Sequence, residues 1–568
     1  MGGRRELLQL GVSMKKCVAV IALGLLGLAT PAEGQTFDVL IRGGRVLDGT
    51  GNPWFYADVG IRDGEIVALG RLGGATAGRV IDAKGLVVVP GFIDVHSHAD
   101  GPNRGSTGLR SDDSRRRAAP NLVTQGITTV VVNQDGRSMW PIAEQARDLR
   151  AAGFGPNVAL MIGHGTIRRL AMGDDFRRVA TAAEVDHMRA LVRQGMDEGA
   201  LGVSSGLEYV PGRWSNTEEV LAVVGELAAY DGVYITHERA SGADPMWYLP
   251  SDTAARPTTF LDAVAETIEI AERTGVTSVQ SHIKARGADY WGSSHAAIQL
   301  IERARKRGVN IWADQYPYNT TGSDGSTVLI PRWAIRSEGD GESRRFAESL
   351  QRVLHDEAAI RALHMDIERE IERRGAPENI VVMQYPDEAL VGKTIADLAD
   401  LFGLTPVEVA IKLQLEGDTK RPGGVGLRGF SLSEYDVESY AKMPWVATAT
   451  DGWVTMPEDG LTHVRVYGSF PRKIAHYAME RGIISVADAI RSSTSLPARI
   501  MGFKNRGLIR EGMRADIAIL DLETLADRAT FFEPHQYAEG VEYVLVGGEF
   551  VVDGGEVTGA LPGVVIGR

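Results

Sequence analysis

Short apolar runs alternate with helical stretches through the middle of the chain, from about residue 91 to about residue 500. The runs include "GITTVVVN", "NVALMIG", "GALGVSSG", "GVYITHE", "TSVQSHI", "VNIWADQYP" and "PWVATATDG". Strand and helix alternation repeated this often is typical of a parallel sheet, and the number of runs favours a (β/α)8 TIM-like barrel in the α/β class. A doubly wound sheet is the alternative fold, but no glycine-rich phosphate loop follows the first strand.

The two ends of the chain follow a different pattern, in which short alternating runs are separated by Gly and Asp turns. Residues 35–90 contain "FDVLIRGGRVLDGTG" and "ADVGIRDGEIVALG", and residues 501–568 contain "GLIREGMRADIAILD" and "VEYVLVGGEFVVDG". Alternation with a period of two is the pattern of half-buried strands. We therefore expect a small β-sandwich domain built from both chain ends, with the barrel domain at residues 91–500 between them.

The alternation of apolar runs and helical stretches stops between about residues 332 and 430. This stretch contains the charged helical sequence "ESRRFAESLQRVLHDEAAIRALHMDIEREIERRG". Because such a sequence does not continue the strand and helix repeat of a barrel, we interpret it as an insertion in a barrel loop near the active face.

Residues 1–34 have the layout of a secretory signal peptide. Two lysines precede an apolar stretch at residues 18–28, and small residues follow, so we expect cleavage between Ala32 and Gln35. The apolar stretch is shorter than the roughly 20 residues that span a bilayer, which predicts no stable membrane anchor. The only cysteine, Cys17, lies in this segment, and a mature chain without thiols fits an oxidising compartment. The predicted location is periplasmic or secreted.

The overall composition restricts the class of partner. The chain of 568 residues is 44% hydrophobic and 24% charged, as is typical of a soluble globular protein with a large core. Its formal net charge of −13 is spread along the sequence, and the basic cluster "RKR" at residues 305–307 falls in an amphipathic helical stretch. This charge pattern argues against nucleic acid as a partner. A homo-oligomer is compatible with the composition.

Polar residues with metal-ligand chemistry follow the predicted strands. In "VVVPGFIDVHSHAD", the side chains of His96 and His98 share one face because strand residues two apart point the same way. The other candidates each end a later strand, and they are Asp135, His237, His282 and Asp451. Barrel enzymes place their chemistry at the carboxyl ends of the strands. Four histidines and two carboxylates at one mouth predict a site for Zn²⁺ or a similar divalent ion.

Several longer motifs resemble the amidohydrolase superfamily and, within it, the N-acyl-D-amino-acid deacylases. They are "PGFIDVHSHAD", "NVALMIGHGTIR", "GALGVSSGLEYVPG", "YITHERA", "SHIKARG", "DQYPY", "TDG", "YGSFPR" and "PHQYAEGVEYVLVGG". The resemblance runs from about Phe37 to Gly555, which is nearly the whole mature chain. It implies hydrolysis of the amide bond between an acyl group and a D-amino acid, with a small molecule as the substrate.

The resemblance also implies roles for the metal-binding residues. His237 and His282 would hold the tightly bound metal, and His96 and His98 a second or weaker one, so that the chain binds one or two Zn²⁺ ions. Asp451 would be a ligand and the general base. Metal ions lower the pKa of bound water toward about 7, and a carboxylate beside that water can accept its proton.

A further set of residues matches family positions that bind the substrate. Lys284, Tyr316, Tyr209 and Arg465 are expected to contact the substrate carboxylate, for which the planar arginine fork is well suited. His164, in "IGHGTIR", is expected to support the metal site from behind its ligands.

One segment departs from the family pattern. The family has a metal-bridging cysteine in an Asn-Cys-Gly segment, whereas this chain reads "NQDGRS" and offers Asp135. A carboxylate can bridge two metals and is a harder ligand than a thiolate, so Mn²⁺ or Co²⁺ become alternatives to Zn²⁺. The competing interpretation is that Asp135 only caps the "QDG" turn. Glu208 is then the next candidate for the bridge.

Two other functions stay open at this stage. The chain could be a metal-dependent hydrolase of the same fold that cleaves a cyclic amide or a dipeptide, which would not need Arg465 and Lys284 as a carboxylate clamp. It could also be a non-catalytic periplasmic binding protein that kept the barrel. An intact Asp451 argues against the second alternative, because ligand binding alone does not need a proton acceptor.

Overall fold

The structure, a computed structural model, describes residues 36–101, 108–242, 245, 248–249, 251, 258–335 and 346–567. The predicted signal peptide at residues 1–34 and its cleavage site lie outside the described residues. Within the described ranges, no helix is both long enough and apolar enough to cross a membrane.

The strands follow the apolar runs of the sequence. They are β1 (Thr36–Val46), β2 (Phe55–Arg62), β3 (Glu65–Gly70), β4 (Thr76–Asp82), β5 (Val87–Pro90), β6 (Phe92–Asp94), β7 (Ile127–Val132), β8 (Asn157–Leu160), β9 (Ile162–Gly163), β10 (Gly202–Gly206), β11 (Val233–His237), β12 (Thr277–Gln280), β13 (Ile311–Gln315), β14 (Ile380–Gln384), β15 (Gly426–Gly429), β16 (Val446–Thr448), β17 (Ile517–Leu520), β18 (Val541–Val546), β19 (Glu549–Asp553), β20 (Glu556–Val557) and β21 (Val565–Ile566).

The α-helices alternate with the strands in the middle of the chain. They are α1 (Ser114–Arg117), α2 (Pro120–Val123), α3 (Ile142–Ala152), α4 (His164–Met172), α5 (Ala182–Asp197), α6 (Thr217–Gly225), α7 (Phe260–Thr274), α8 (Ser294–Lys306), α9 (Phe346–Val353), α10 (Glu357–Arg373), α11 (Ile395–Phe402), α12 (Pro406–Glu416), α13 (Glu434–Ala441), α14 (Arg465–Arg472), α15 (Val486–Ser493) and α16 (Ser495–Met501). A π-helix, Lys473–Glu480, continues α14.

The predicted (β/α)8 barrel is confirmed. Its strands run parallel in the order β6, β7, β8 with β9, β10, β11, β12, β13 and β16. Backbone hydrogen bonds close the ring between the last and first strands, because His98 N donates to Gly452 O at 2.7 Å and Asp451 N donates to His96 O at 2.9 Å. The residues of β7, β10 and β11 are all buried, as expected for strands covered on both faces.

Both chain ends contribute to the small β domain, as the sequence predicted. Its strands join into one nine-stranded sheet in the order β20, β19, β18, β17, β5, β1, β2 and β3, with β4 paired to β1. The antiparallel pair β5 and β17 connects the two ends of the chain, so the expected sandwich is one continuous sheet. The last strand, β21, instead pairs with β8 of the barrel.

The inserted segment between β13 and β16 has its own hydrophobic cluster, which includes Leu350, Leu363 and Leu413. Helices α9 to α12 pack around the antiparallel pair β14 and β15. The buried Arg374 of this segment forms a 2.8 Å ion pair with Asp324, in the loop that follows β13. This contact ties the insertion to the face of the barrel that carries the carboxyl ends of the strands.

Candidate metal centre

Six side chains meet at the carboxyl ends of the barrel strands. They form two overlapping groups of candidate ligands, which are His96, His98, Asp135 and Asp451 in the first and Asp135, His237 and His282 in the second. Within each group, one ligand atom from every residue lies within 4.8 Å of the others. The structure therefore brings together all six residues that the sequence singled out.

The spacing in the first group is that of ligands around one ion. His98 Nε2 lies 3.3 Å from His96 Nε2, 3.2 Å from Asp451 Oδ1 and 3.5 Å from Asp135 Oδ2. His96 Nε2 lies 3.6 Å from Oδ1 of each carboxylate. Two ligand atoms of a tetrahedral zinc ion, each about 2.1 Å from the metal, are about 3.4 Å apart.

The second group converges on one carboxylate oxygen. His237 Nδ1 and His282 Nε2 each lie 3.7 Å from Asp135 Oδ1, and they lie 2.8 Å from each other. The two imidazole planes are nearly perpendicular, at 84°. This arrangement directs one ring nitrogen from each histidine toward the same place beside Asp135.

Asp135 is the residue that the two groups share. Its Oδ1 is buried, and no described residue donates a hydrogen bond to it, although ring nitrogens of His96, His237 and His282 lie within 3.7 Å. A buried carboxylate oxygen without a partner is costly, and a cation at this position removes the cost. Burial raises the pKa of Asp135, but the surrounding imidazoles lower it more, and the net shift is downward. The nitrogen and oxygen donors present fit a divalent transition metal.

Three candidate ligands have backbone conformations that residues with a side chain rarely adopt. The φ angles are 57° for Asp135, 35° for His282 and 47° for Asp451. Each such residue costs about 1–3 kcal/mol, and residues of this kind concentrate at functional sites. All three residues follow within three positions of the end of a barrel strand, β7, β12 and β16 respectively.

Asp451 connects the metal ligands to a buried arginine. Its Oδ1 faces His98, and its Oδ2 forms a 2.9 Å ion pair with Nη1 of Arg465, the first residue of α14. Burial raises the pKa of Asp451, but Arg465 and the neighbouring imidazoles hold it well below its usual range. The carboxylate is therefore ionised at neutral pH, which is the form that accepts a proton.

His96 is oriented by a buried relay that sequence reasoning missed. Its Nδ1 is hydrogen-bonded to Ser281 Oγ, and Ser281 donates to Asp314 Oδ2 at 2.7 Å. The other oxygen of Asp314 accepts the backbone N–H of His282 at 2.7 Å. Burial raises the pKa of Asp314 to about 8. Because Nδ1 of His96 is occupied, Nε2 is left to face the ligand cluster.

Asp94 is a second residue that the sequence analysis left out. It accepts hydrogen bonds from the backbone of His96 at 3.2 Å and from the backbone and hydroxyl of Thr450, at 3.0 and 2.5 Å. These bonds join the first barrel strand to the last. The spacing of two residues between Asp94, His96 and His98 was the signal that could have identified it, because all three side chains share one strand face.

Glu208 lies behind His237 rather than between the two groups. Its Oε2 accepts a hydrogen bond from His237 Nε2 at 3.0 Å, and its Oε1 is 3.2 Å from Nη2 of Arg286. A carboxylate that holds one ring nitrogen leaves the other, here Nδ1, available to a metal. The position of Glu208 suits orientation of His237 better than the bridging role considered as an alternative.

A cavity of about 620 Å³ opens above the ligand cluster, and its lining includes Tyr209, Lys284 and Arg465. Lys284 Nζ lies 2.5 Å from His282 Nδ1 and donates to the backbone oxygen of His282 at 2.9 Å. Burial lowers the pKa of Lys284. The Tyr209 ring packs against the His237 ring, with centroids 4.1 Å apart. These predicted substrate-binding residues thus surround the cluster.

Two of the predicted site residues, Tyr316 and His164, do not line the cavity above the ligand cluster. Tyr316 is buried beneath Arg465, whose guanidinium lies 4.7 Å from the centre of the Tyr316 ring, and it lines a small adjoining pocket. His164 hydrogen-bonds to Glu219 at 3.0 Å, and Arg168 binds the same carboxylate oxygen at 2.8 Å. Among the described residues, the hydrogen-bond partner found for His164 is Glu219 and not a candidate metal ligand.

Comparisons with known proteins agree with this geometry. The model of the amidohydrolase family matches residues 79–552. A D-aminoacylase from Alcaligenes xylosoxydans xylosoxydans is 31% identical over 563 residues, which cover 94% of this chain and 99% of the relative.

Two solved structures are similar over the same extent. The N-acyl-D-glutamate deacylase from Bordetella bronchiseptica, complexed with zinc and a phosphonate inhibitor that mimics the tetrahedral intermediate, has a TM-score of 0.71 and 29% identity. A D-aminoacylase with a binuclear metal centre has a TM-score of 0.70 and 28% identity. Each comparison covers 94% of this chain and 100% of the solved chain.

Proposed function

The chain belongs to the amidohydrolase family, and on that premise we propose that it is a metal-dependent hydrolase that converts N-acyl-D-amino acids to a carboxylic acid and a D-amino acid. The observation that carries the proposal is the position of Asp451. One of its oxygens faces the ligand histidines and the other faces Arg465, so a proton acceptor lies between the metal site and a group that binds carboxylates.

The reaction adds water to the amide carbon and breaks the C–N bond. Asp451 accepts a proton from the attacking water and passes it to the departing nitrogen, which leaves as the amine of the amino acid. The chemistry that a bound divalent cation supplies is a lower pKa for water and stabilisation of charge at the carbonyl oxygen. The relatives named D-aminoacylase and N-acyl-D-glutamate deacylase support this reaction for a linear amide.

The ligands support Zn²⁺, with Mn²⁺ or Co²⁺ as alternatives. His96, His98, His237 and His282 provide nitrogen, and Asp135 and Asp451 provide oxygen, which suits one or two borderline ions. The zinc complex and the binuclear centre of the similar structures support both the metal and the number.

Arg465 and Lys284 bind the carboxylate of the amino acid in this proposal. Both cations line the cavity next to Asp451, and both are buried, which strengthens their interaction with an anion. The Tyr316 ring holds the Arg465 guanidinium in place by stacking. Tyr209 borders the same cavity from the side of His237.

The test is a substrate screen combined with metal analysis. Purified protein should contain one or two equivalents of a divalent metal and should hydrolyse N-acetyl-D-amino acids at least tenfold faster than their L-enantiomers. Hydantoins and dipeptides represent the alternative function, and faster cleavage of either would replace the proposal. Metal-loaded protein that binds N-acetyl-D-amino acids without turnover would favour the non-catalytic alternative.

We also propose that the mature chain is exported after cleavage between Ala32 and Gln35. The support is the order of lysines, apolar residues and small residues in the sequence. Expression of the full chain in a Gram-negative host, followed by fractionation and mass spectrometry of the N-terminus, tests this. Recovery of uncut protein in the cytoplasm would contradict it.

A further inference from the structure

A second recess, of about 270 Å³, lies beside the large cavity. It opens between the loop that follows β7, the N-terminal half of α4 and the segment that follows β10, and it shares Asp135 and Arg137 with the large cavity. The two cavities therefore adjoin at Asp135 and Arg137, next to the ligand cluster.

The charge of the recess is positive. Arg137 and Arg169 line it, and neither has an ion-pair partner among the described residues. Arg169 is held over the ring of Phe176, 4.1 Å from the centroid, and this contact orients the guanidinium without neutralising it. The one acidic residue in the lining, Asp135, directs its carboxylate to the histidines of the ligand cluster. Two cations are thus available to an incoming anion.

The segments around the recess, which are the loop after β7, the start of α4 and the end of β10, meet backbone to backbone. A Cβ on Gly136 would lie 2.9 Å from Gly206 N and 3.2 Å from Gly165 N, and a Cβ on Gly165 would lie 2.9 Å from Gly136 O. Side chains larger than hydrogen would push these segments apart. The close approach fixes the loop that carries Arg137 against its neighbours.

The position of the recess around the barrel indicates which part of a substrate reaches it. The recess lies beyond the second, third and fourth strands, whereas Lys284 follows the sixth strand and Arg465 the eighth. In a closed eight-stranded ring, these two sectors face each other across the axis. With the amino-acid carboxylate bound by Lys284 and Arg465, the acyl group on the other side of the scissile bond points toward the recess.

We propose that the recess is an anion subsite for the acyl group, and that the preferred substrates carry an acyl chain with a terminal carboxylate, as in monoacyl groups of dicarboxylic acids. This inference rests on the proposed deacylase function. Both arginines are exposed; Arg137 lines both cavities, and Arg169 lines only the recess, so the carboxylate would meet Arg137 first and Arg169 next. Arginine forks bind carboxylates in bidentate fashion, which favours the acid over a neutral amide of the same shape.

The test compares three acyl groups on the same series of D-amino acids. N-succinyl substrates carry the anion, N-succinamoyl substrates replace it with a neutral amide of nearly equal size, and N-acetyl substrates lack the chain. We expect kcat/KM for succinyl to exceed that for succinamoyl by at least about tenfold in the wild type, with a smaller ratio at high ionic strength.

Variants of the two arginines test whether the preference for the succinyl group arises in the recess. Arg137→Gln and Arg169→Gln should each lower the succinyl to succinamoyl ratio severalfold, and the double variant should bring it close to one. Arg147→Gln is the matched control, because Arg147 is an exposed arginine of α3 that pairs with Glu144 and Asp148 away from the cavity. The succinyl to succinamoyl ratio of Arg147→Gln should equal that of the wild type.

The outcomes separate this inference from the proposed function. Hydrolysis of N-acetyl and N-succinamoyl substrates with a wild-type ratio near one would overturn the anion subsite and leave the deacylase proposal standing. Failure to hydrolyse any of the three classes would overturn both. A third outcome would overturn the assignment to the acyl group. In it, the enzyme prefers N-acetyl-D-glutamate to N-acetyl-D-glutamine but shows no preference between succinyl and succinamoyl, and Arg137→Gln loses the preference for glutamate.

Discussion

Asp451 and Arg465 form a buried ion pair with 2.9 Å between Oδ2 and Nη1, while the second oxygen of Asp451 lies 3.2 Å from His98 Nε2. The proposed proton acceptor and the proposed anchor for the substrate carboxylate are therefore in direct contact. In the proposed reaction, the group that binds the substrate and the group that transfers the proton are therefore electrostatically coupled. Variants of these two residues should differ in which kinetic constant they change.

The first prediction concerns proton transfer. Asp451→Asn keeps an oxygen of the same size near His98 but removes the basic carboxylate, so kcat should fall by at least about 10²-fold, the scale of general acid–base catalysis. Metal content, measured by elemental analysis, should stay close to that of the wild type because five other ligands are kept. Near-normal turnover in this variant would assign the base to another group.

The second prediction concerns the carboxylate clamp. Arg465→Ala and Lys284→Ala should reduce kcat/KM for free-acid substrates by at least about tenfold more than for the matching α-amides or methyl esters, since only the acids present a carboxylate. Arg465→Lys is the comparison that keeps the charge and loses the fork, and its defect should be smaller. Equal losses on acids and amides would exclude a direct contact with the carboxylate.

The third prediction concerns the metal. His237→Ala and His282→Ala should each lower the metal content of the purified protein and its activity together, because both rings converge on Asp135 Oδ1. His295→Ala is the control, since His295 lies on α8 and contacts Gln299. Its metal content and activity should equal those of the wild type. Full metal occupancy in both ligand variants would show that the second group binds no ion.

Much of the site could be predicted from the sequence, because barrel strands place their last residues at one mouth. His96, His98, Asp135, His237, His282 and Asp451 each end an apolar run, and this position alone located them. No long-range information was needed beyond the fold class.

The supporting residues could not be predicted in the same way. Asp314 and Glu208 contact His282 and His237 from neighbouring strands, so their roles depend on the register between strands and on rotamers that the one-dimensional pattern does not contain. The same limit applies to Arg137, which follows Asp135 by two residues but lines a recess together with Gly165 of α4 and Gly206 of β10. Tertiary packing, rather than residue type, determines these roles.

The last prediction concerns Asp135, which takes the place of the cysteine expected from the family pattern. Its Oδ1 lies within 3.7 Å of ring nitrogens from both ligand groups, and its Oδ2 lies 3.5 Å from His98 Nε2. We therefore expect Asp135 to be a ligand shared between the two metal positions. Asp135→Ala should lower metal content and activity together. Asp135→Cys should retain part of both, because a thiolate can bridge the same positions, and it should shift the preference from Mn²⁺ toward softer Zn²⁺ in competition binding. Asp135→Asn keeps the shape and the hydrogen bonds of the turn, so unchanged metal binding in that variant would mean that Asp135 only caps the turn.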